Sequence, residues 1–272
     1  MNKWIKVAIF AALLIAAGYL FGYVCKQTQQ GYELLFSPST KDAIRLALWL
    51  LTALATMALT AGLVAALVRP LWACLITFAL SALAMLLAWG LKATSAALTS
   101  VYFIASAIYA WEVARGLEER LSFSVRPISE NQSTLLTALV IVVCASLYFG
   151  YAAHIEEEGF SIPPALVDMV MEMMKEEIGK RVPAAERWET LDKFDEESKR
   201  WLEEFEERAI KPYEKFIPLA IALSVFTPLV TITHLLSWIP ILVLGAIFPI
   251  LTALGVTKVV TETREVRRLT IE

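Results

Sequence analysis

The chain has 272 residues, of which 58% are hydrophobic and 19% charged, with a formal net charge of −3 and a mean hydropathy of +0.61. A soluble domain of this length carries roughly 45–50% apolar and about 25% charged residues, so composition argues against a water-soluble globule and for lipid as the solvent. The apolar residues are clustered, and a spanning helix needs about 20 of them in a row because the bilayer core is roughly 30 Å thick.

In chain order, seven apolar stretches meet that length, at 4–24, 44–68, 71–91, 95–114, 134–153, 216–236 and 239–257. Ala and Leu dominate and strand-type alternation is missing, so helices rather than a barrel must satisfy the backbone. The sequence therefore predicts an all-α fold. It is a polytopic transmembrane helix bundle of about seven spanning segments, with an extramembrane acidic α-helical hairpin between segments five and six. Lys3 and Lys6 precede the first run, which at about 18 residues is longer than the apolar core of a signal peptide, so a retained anchor is expected.

Arg69-Pro70 is the whole link between segments two and three, and residues 90–94 link three to four, which predicts antiparallel neighbours. A polar loop over 115–133 leads to segment five. Glu112 and Arg115 near the end of segment four read as an interfacial anchor. Asn131-Gln132-Ser133 matches a glycosylation sequon, a triplet too common to carry weight. The organisation is thus 1–153 for helices one to five, 154–215 for the hairpin, 216–258 for a proline-bent pair and 259–272 for a polar tail.

Residues 154–215 hold ten Lys/Arg and eighteen Asp/Glu, so this stretch is strongly acidic while the rest is net positive. Pro163-Pro164 opens a helical pattern in which Val167, Val170, Met171, Met174 and Ile178 share a face. A second arm follows from 184 to 210. In it Leu191, Phe194, Ser198, Trp201 and Phe205 recur at spacings of 3, 4, 3 and 4, a short heptad seam. The seam packs the two arms on each other or the long arm on its copy in another subunit. His154 followed by Glu156–Glu158 reads as an acidic interfacial segment rather than a metal cluster.

The terminal pair carries Pro218, Pro228, Pro240 and Pro249, tolerated in lipid where neighbours, hydroxyls or water re-satisfy the freed carbonyls. Ser224, Thr227, Thr231 and His234 fall on one face of segment six. They read either as a polar path beside a kinked helix or as hydroxyls bonding their own backbone. Thr52, Thr56 and Thr60 make a similar stripe on segment two, with helix packing as the plainer reading.

Two histidines, three scattered cysteines and the lack of HExxH, GxSxG and Walker A patterns predict no enzyme, no metal site and no cofactor. Glu176-Glu177-x-x-x-Arg181 looks like a glutamate motif of membrane proteases. Glu203-Glu204-x-x-x-Arg208 matches as well, which shows how cheap the pattern is, and neither lies in an apolar segment.

Two functions remain. One is an oligomeric channel or transporter-like pore for ions or small solutes. The other is a membrane-anchored assembly protein whose hairpin docks a protein partner. The expected partners are the lipid bilayer and further copies of the chain, with no nucleic acid. The expected location is the cell membrane, multi-pass, with 154–215 extracytoplasmic. For seven spans with the N-terminus inside, the short inside segments hold six Lys/Arg and the short outside segments eight, so charge alone divides on orientation.

Overall fold

The computed structural model describes residues 3–30, 40–118, 126–159, 164–181, 194, 197–198, 200–201, 204–205, 208 and 211–257. These form α1 (Lys3–Gln30), α2 (Thr40–Leu67), α3 (Leu71–Trp89), α4 (Ala93–Glu118), α5 (Arg126–Glu158) and α6 (Pro164–Arg181). A 3₁₀ turn (Lys211–Phe216) then leads into α7 (Ile217–Leu236) and α8 (Trp238–Ala253). No strand occurs among the described residues. All seven apolar stretches are helical. The last two meet through Ser237, which itself has helical dihedrals, so with the 3₁₀ turn they form one 43-residue run (Lys211–Ala253). Among the described residues, six helical runs are long and apolar enough to cross a membrane.

α1 is the hub. It packs most extensively on α3, then on α2 and α5, while α4 packs between α3 and α5. Sequence proximity suggests that α2 and α3, joined by three residues, would be close neighbours. Instead they touch only sparsely, and both rest on α1. The reason is glycine. A Cβ on Gly18 would collide with Ser81, and one on Gly22 with the Met85 backbone. The two bare positions let the α1 and α3 backbones approach more closely than any pairing with side chains allows. Ser81 Oγ takes advantage of this closeness and donates to the Leu14 carbonyl (3.1 Å).

The loop expected over 115–133 is largely helical. α4 runs on to Glu118 and α5 already begins at Arg126, where Arg126 Nε pairs with Glu130 (2.7 Å) one turn on. Pro127 packs against Gly116, and Ile128 and Gln132 are buried.

The bundle has two ends. At one lie the start of α1, the α2–α3 turn, the end of α4 and the start of α5, tied by Arg69–Glu118 (3.3 Å). At the other lie the end of α1, the α3–α4 turn and the end of α5, tied by Trp89 Nε1 donating to Gln29 Oε1 (2.7 Å). α7 runs back along α5 from this second end. α8 then crosses to α2, burying Leu244 and Phe248. It finishes beside the start of α1, where Lys6 Nζ donates to the carbonyls of Gly255 (2.9 Å) and Val256 (2.7 Å).

Of the four prolines in the terminal run, Pro218 and Pro240 occupy first turns, where the ring fits without breaking a helical bond. Pro228 and Pro249 are interior.

Candidate functional site

The stripe Ser224, Thr227, Thr231 and His234 lies on the exposed side of α7, away from the protomer's core. Its hydroxyls bond their own helix. Ser224 donates to the Ile221 carbonyl (2.8 Å), Thr227 to Leu223 (3.4 Å) and Thr231 to Thr227 (2.9 Å). Such back-bonding satisfies the hydroxyl and bends the helix. His234 Nε2 lies 3.5 Å from Thr137 Oγ1 on α5. Among the described residues, this contact with α5 is at the His234 end of the stripe, and the three hydroxyls bond within α7.

Thr52, Thr56 and Thr60 likewise donate one turn back, to Leu48, Thr52 and Thr56 (2.7, 2.7 and 2.8 Å). Thr52 is exposed, Thr56 half-buried and Thr60 buried. α2 does not pack along α7, so the two hydroxyl stripes are not brought together within the protomer.

In the acidic region, Phe194 and Ser198 are half-buried. Trp201 and Phe205 are exposed with their rings stacked (centroids 5.1 Å apart). Leu191 and most of the second arm lie outside the described residues. On α6, Val170, Met173 and Met174 are exposed. Arg115 sits over the Trp111 ring at 5.9 Å, an interfacial cation–π contact. Cys25, Cys74 and Cys144 are buried and unpaired by disulfide. Among the described residues no group of three His, Cys, Asp or Glu side chains gathers as a metal site.

The most polar part of the interior was not singled out by the sequence patterns above. Ser95, Thr99, Tyr102, Ser106 and Tyr109 recur at spacings of 4, 3, 4 and 3 along α4, and all five are buried. At one end Ser95 Oγ donates to the Gly90 carbonyl (2.5 Å). In the middle Tyr102 shares a hydrogen bond with Ser81 (3.1 Å). Ser106 neighbours Tyr102 without hydrogen-bond geometry. Thr99 Oγ1, Tyr109 OH and both amide atoms of Gln132 on α5 have no hydrogen-bond partner among the described residues. Burying such a group unpaired costs about 1–3 kcal/mol, so several in one core ask for a reason. The signal was present in the sequence. α4 is the least apolar of the six runs, and its hydroxyls keep heptad spacing.

Two clefts flank this core. One, of about 400 Å³, opens between α2, α3 and α4 at the Arg69–Glu118 pair and is walled by Ala65, Val68 and Cys74. The other, of about 410 Å³, is an apolar groove between α5 and α7 lined by residues such as Tyr148, Phe149, Leu223 and Phe226.

The fold and its sites define a helical membrane bundle of multi-pass type. No known family, curated protein or solved structure matches the chain.

Proposed function

We propose that the chain acts as a homo-oligomeric membrane pore, passing small ions or solutes along a path shared between subunits and lined by Ser224, Thr227, Thr231 and His234. One observation carries the reading. The run containing α7 is the least covered of the six within the protomer, and it turns a polar face ending in a histidine away from the core. An ionisable residue in an apolar run belongs against protein or water rather than lipid. A neighbouring copy supplies that cover. Pro228 leaves the Ser224 carbonyl without its helical donor, which adds an acceptor to the same face.

The proposed orientation is drawn from Lys6. Its bonds to Gly255 and Val256 support placing the start of α1 and the end of α8 on one membrane face, with an even number of crossings in which α7 and α8 count as one. Lys258, Arg264, Arg267 and Arg268 then join Lys3, Lys6, Arg69, Arg115, Arg120 and Arg126, ten in all. Lys26, Lys41, Arg45 and Lys92 remain opposite. The positive-inside rule now points one way: both termini cytoplasmic, the acidic 154–215 stretch outside. There its charge would concentrate cations at a mouth.

The test is cysteine crosslinking in native membranes, with Cys25, Cys74 and Cys144 replaced by alanine. Thr231→Cys should give subunit–subunit adducts with a short bifunctional reagent, and His234→Ala should reduce flux in vesicles. A Thr231→Cys protein that stays monomeric, with flux unaffected by His234→Ala, sinks the reading.

A second reading rests on the exposed apolar side chains outside the membrane runs, namely Val170, Met173 and Met174 on α6 and the Trp201–Phe205 stack. Here the acidic region docks a partner protein and the bundle is its anchor. Efficient adducts between copies at Ser198→Cys would assign that surface to self-association instead.

A further inference from the structure

The hydroxyl line of α4 ends at Tyr109, where α2, α5 and α8 meet. At Gly62 on α2 the missing Cβ leaves room for Leu244 of α8, whose Cδ1 would stand 2.8 Å from it; Ile128 of α5 lies at 3.2 Å and the Tyr109 hydroxyl at 3.6 Å. Leu244 and Tyr109 are both fully buried. Gln132, with its unpartnered amide, is one helical turn from Ile128 along α5. Four helices thus converge near the unpartnered Tyr109 hydroxyl, and the apolar Leu244 side chain shares with it the space left bare at Gly62. From Tyr109 back to Ser95 the line covers roughly 21 Å at 1.5 Å per residue, most of a hydrocarbon core. At its far end Ser95 bonds the exposed α3–α4 turn.

We infer that this line is a sealed polar path for water-sized neutral molecules within each protomer, and that Leu244 is its gate. The chemistry of the line sets the class. It offers hydroxyls and one amide, which replace the hydrogen bonds of a neutral polar molecule, and it has no carboxylate or imidazole to compensate a cation. The gate is carried on a helix suited to move. α8 exposes Trp238, Leu242, Ile250 and Leu254, joins α7 through one residue, and is fastened at its far end by Lys6. Lys6 is the latch: it holds the carbonyls of the turn that follows α8 against α1 and so keeps Leu244 seated. This path lies inside one copy and goes beyond the shared path proposed above. It does not pass Thr231 or His234.

The experiment is stopped-flow osmotic shrinkage of proteoliposomes. Wild-type protein should stay near the rate of protein-free vesicles. Leu244→Ala should raise water permeability several-fold without releasing entrapped carboxyfluorescein. Adding Gln132→Leu and Tyr109→Phe to Leu244→Ala should bring the rate back down. Lys6→Met leaves the core intact and should also raise the rate, which keeps the test open if Leu244→Ala misfolds. Water permeability at the lipid baseline in Lys6→Met overturns the gate. So does a Leu244→Ala leak that ignores Gln132 and Tyr109, or one that also passes the dye. None of these results depends on subunit crosslinking, so the gate and the shared path fail separately.

Discussion

At the scale of single residues, burial and pairing decide which side chains matter. Tyr102 and Tyr109 sit seven residues apart on one face of α4, both fully buried, yet only Tyr102 has a hydrogen-bond partner, Ser81. Removing the Tyr102 hydroxyl breaks a buried bond and leaves Ser81 with the Leu14 carbonyl as its partner, so Tyr102→Phe should cost about 0.5–1.5 kcal/mol. Removing the Tyr109 hydroxyl breaks no bond to protein, so Tyr109→Phe should be neutral or mildly stabilising. Thermal unfolding of both variants in one detergent checks the order, and a larger loss for Tyr109→Phe contradicts it. Lys6 is of a different kind. Its ammonium meets the carbonyls of Gly255 and Val256 in the turn just after α8, near the negative end of the helix dipole. Lys6→Met should cost about 0.5–1.5 kcal/mol, and Lys6→Arg should recover much of it.

At the scale of the element, glycine separates packing from propensity. Gly22 faces the Met85 backbone with no room for a Cβ, whereas Gly245 on α8 has nothing within 4 Å. Gly22→Ala must push α1 off α3, and a cost of about 1–3 kcal/mol is expected from the displaced contacts. Gly245→Ala should be neutral to about 1 kcal/mol stabilising, since alanine is the better helix former. Unfolding midpoints of the two alanine variants moving together would contradict this account.

The same element shows what a sequence conveys. Each helix was legible because twenty apolar residues in a row have one outcome in lipid. Which helices touch was not, because that depends on small residues whose partners lie elsewhere in the chain. Gly18-x-x-x-Gly22 was in view, but nothing local said that α3 rather than α2 would fill it. The polar faces were legible only by half. Spacing placed Ser224, Thr227, Thr231 and His234 on one side of α7, and Thr52, Thr56 and Thr60 on one side of α2. It did not say that the first face would turn outward, or that the more deeply buried hydroxyls belong to α4. The reason is that tyrosine counts as nearly apolar in any window, so the heptad of Ser, Thr and Tyr on α4 dissolves into an ordinary spanning run.

At the scale of the whole molecule, the proposed topology rests on one contact. Counting apolar stretches gives seven, and an odd number of crossings would put the two termini on opposite faces and split the Lys/Arg residues almost evenly. The proposed topology instead takes the contact between Lys6 and the turn after α8 to lie on one face, which gives six crossings. In that proposal the Lys/Arg residues that follow 257 in the sequence count with Lys3, Lys6 and Arg69 on the inside, the arrangement that the positive-inside rule favours. In a chain lacking native cysteines, single cysteines at Asn2 and Thr263 should both resist a membrane-impermeant maleimide in intact cells and react once the membrane is opened. A cysteine at Glu196, in the acidic stretch, should react at once. Labelling of Asn2→Cys and Thr263→Cys from opposite faces would mean that α7 and α8 each cross. In that case α8 cannot end beside Lys6 in the membrane, and both the latch and the cytoplasmic placement of the basic tail would fall with it.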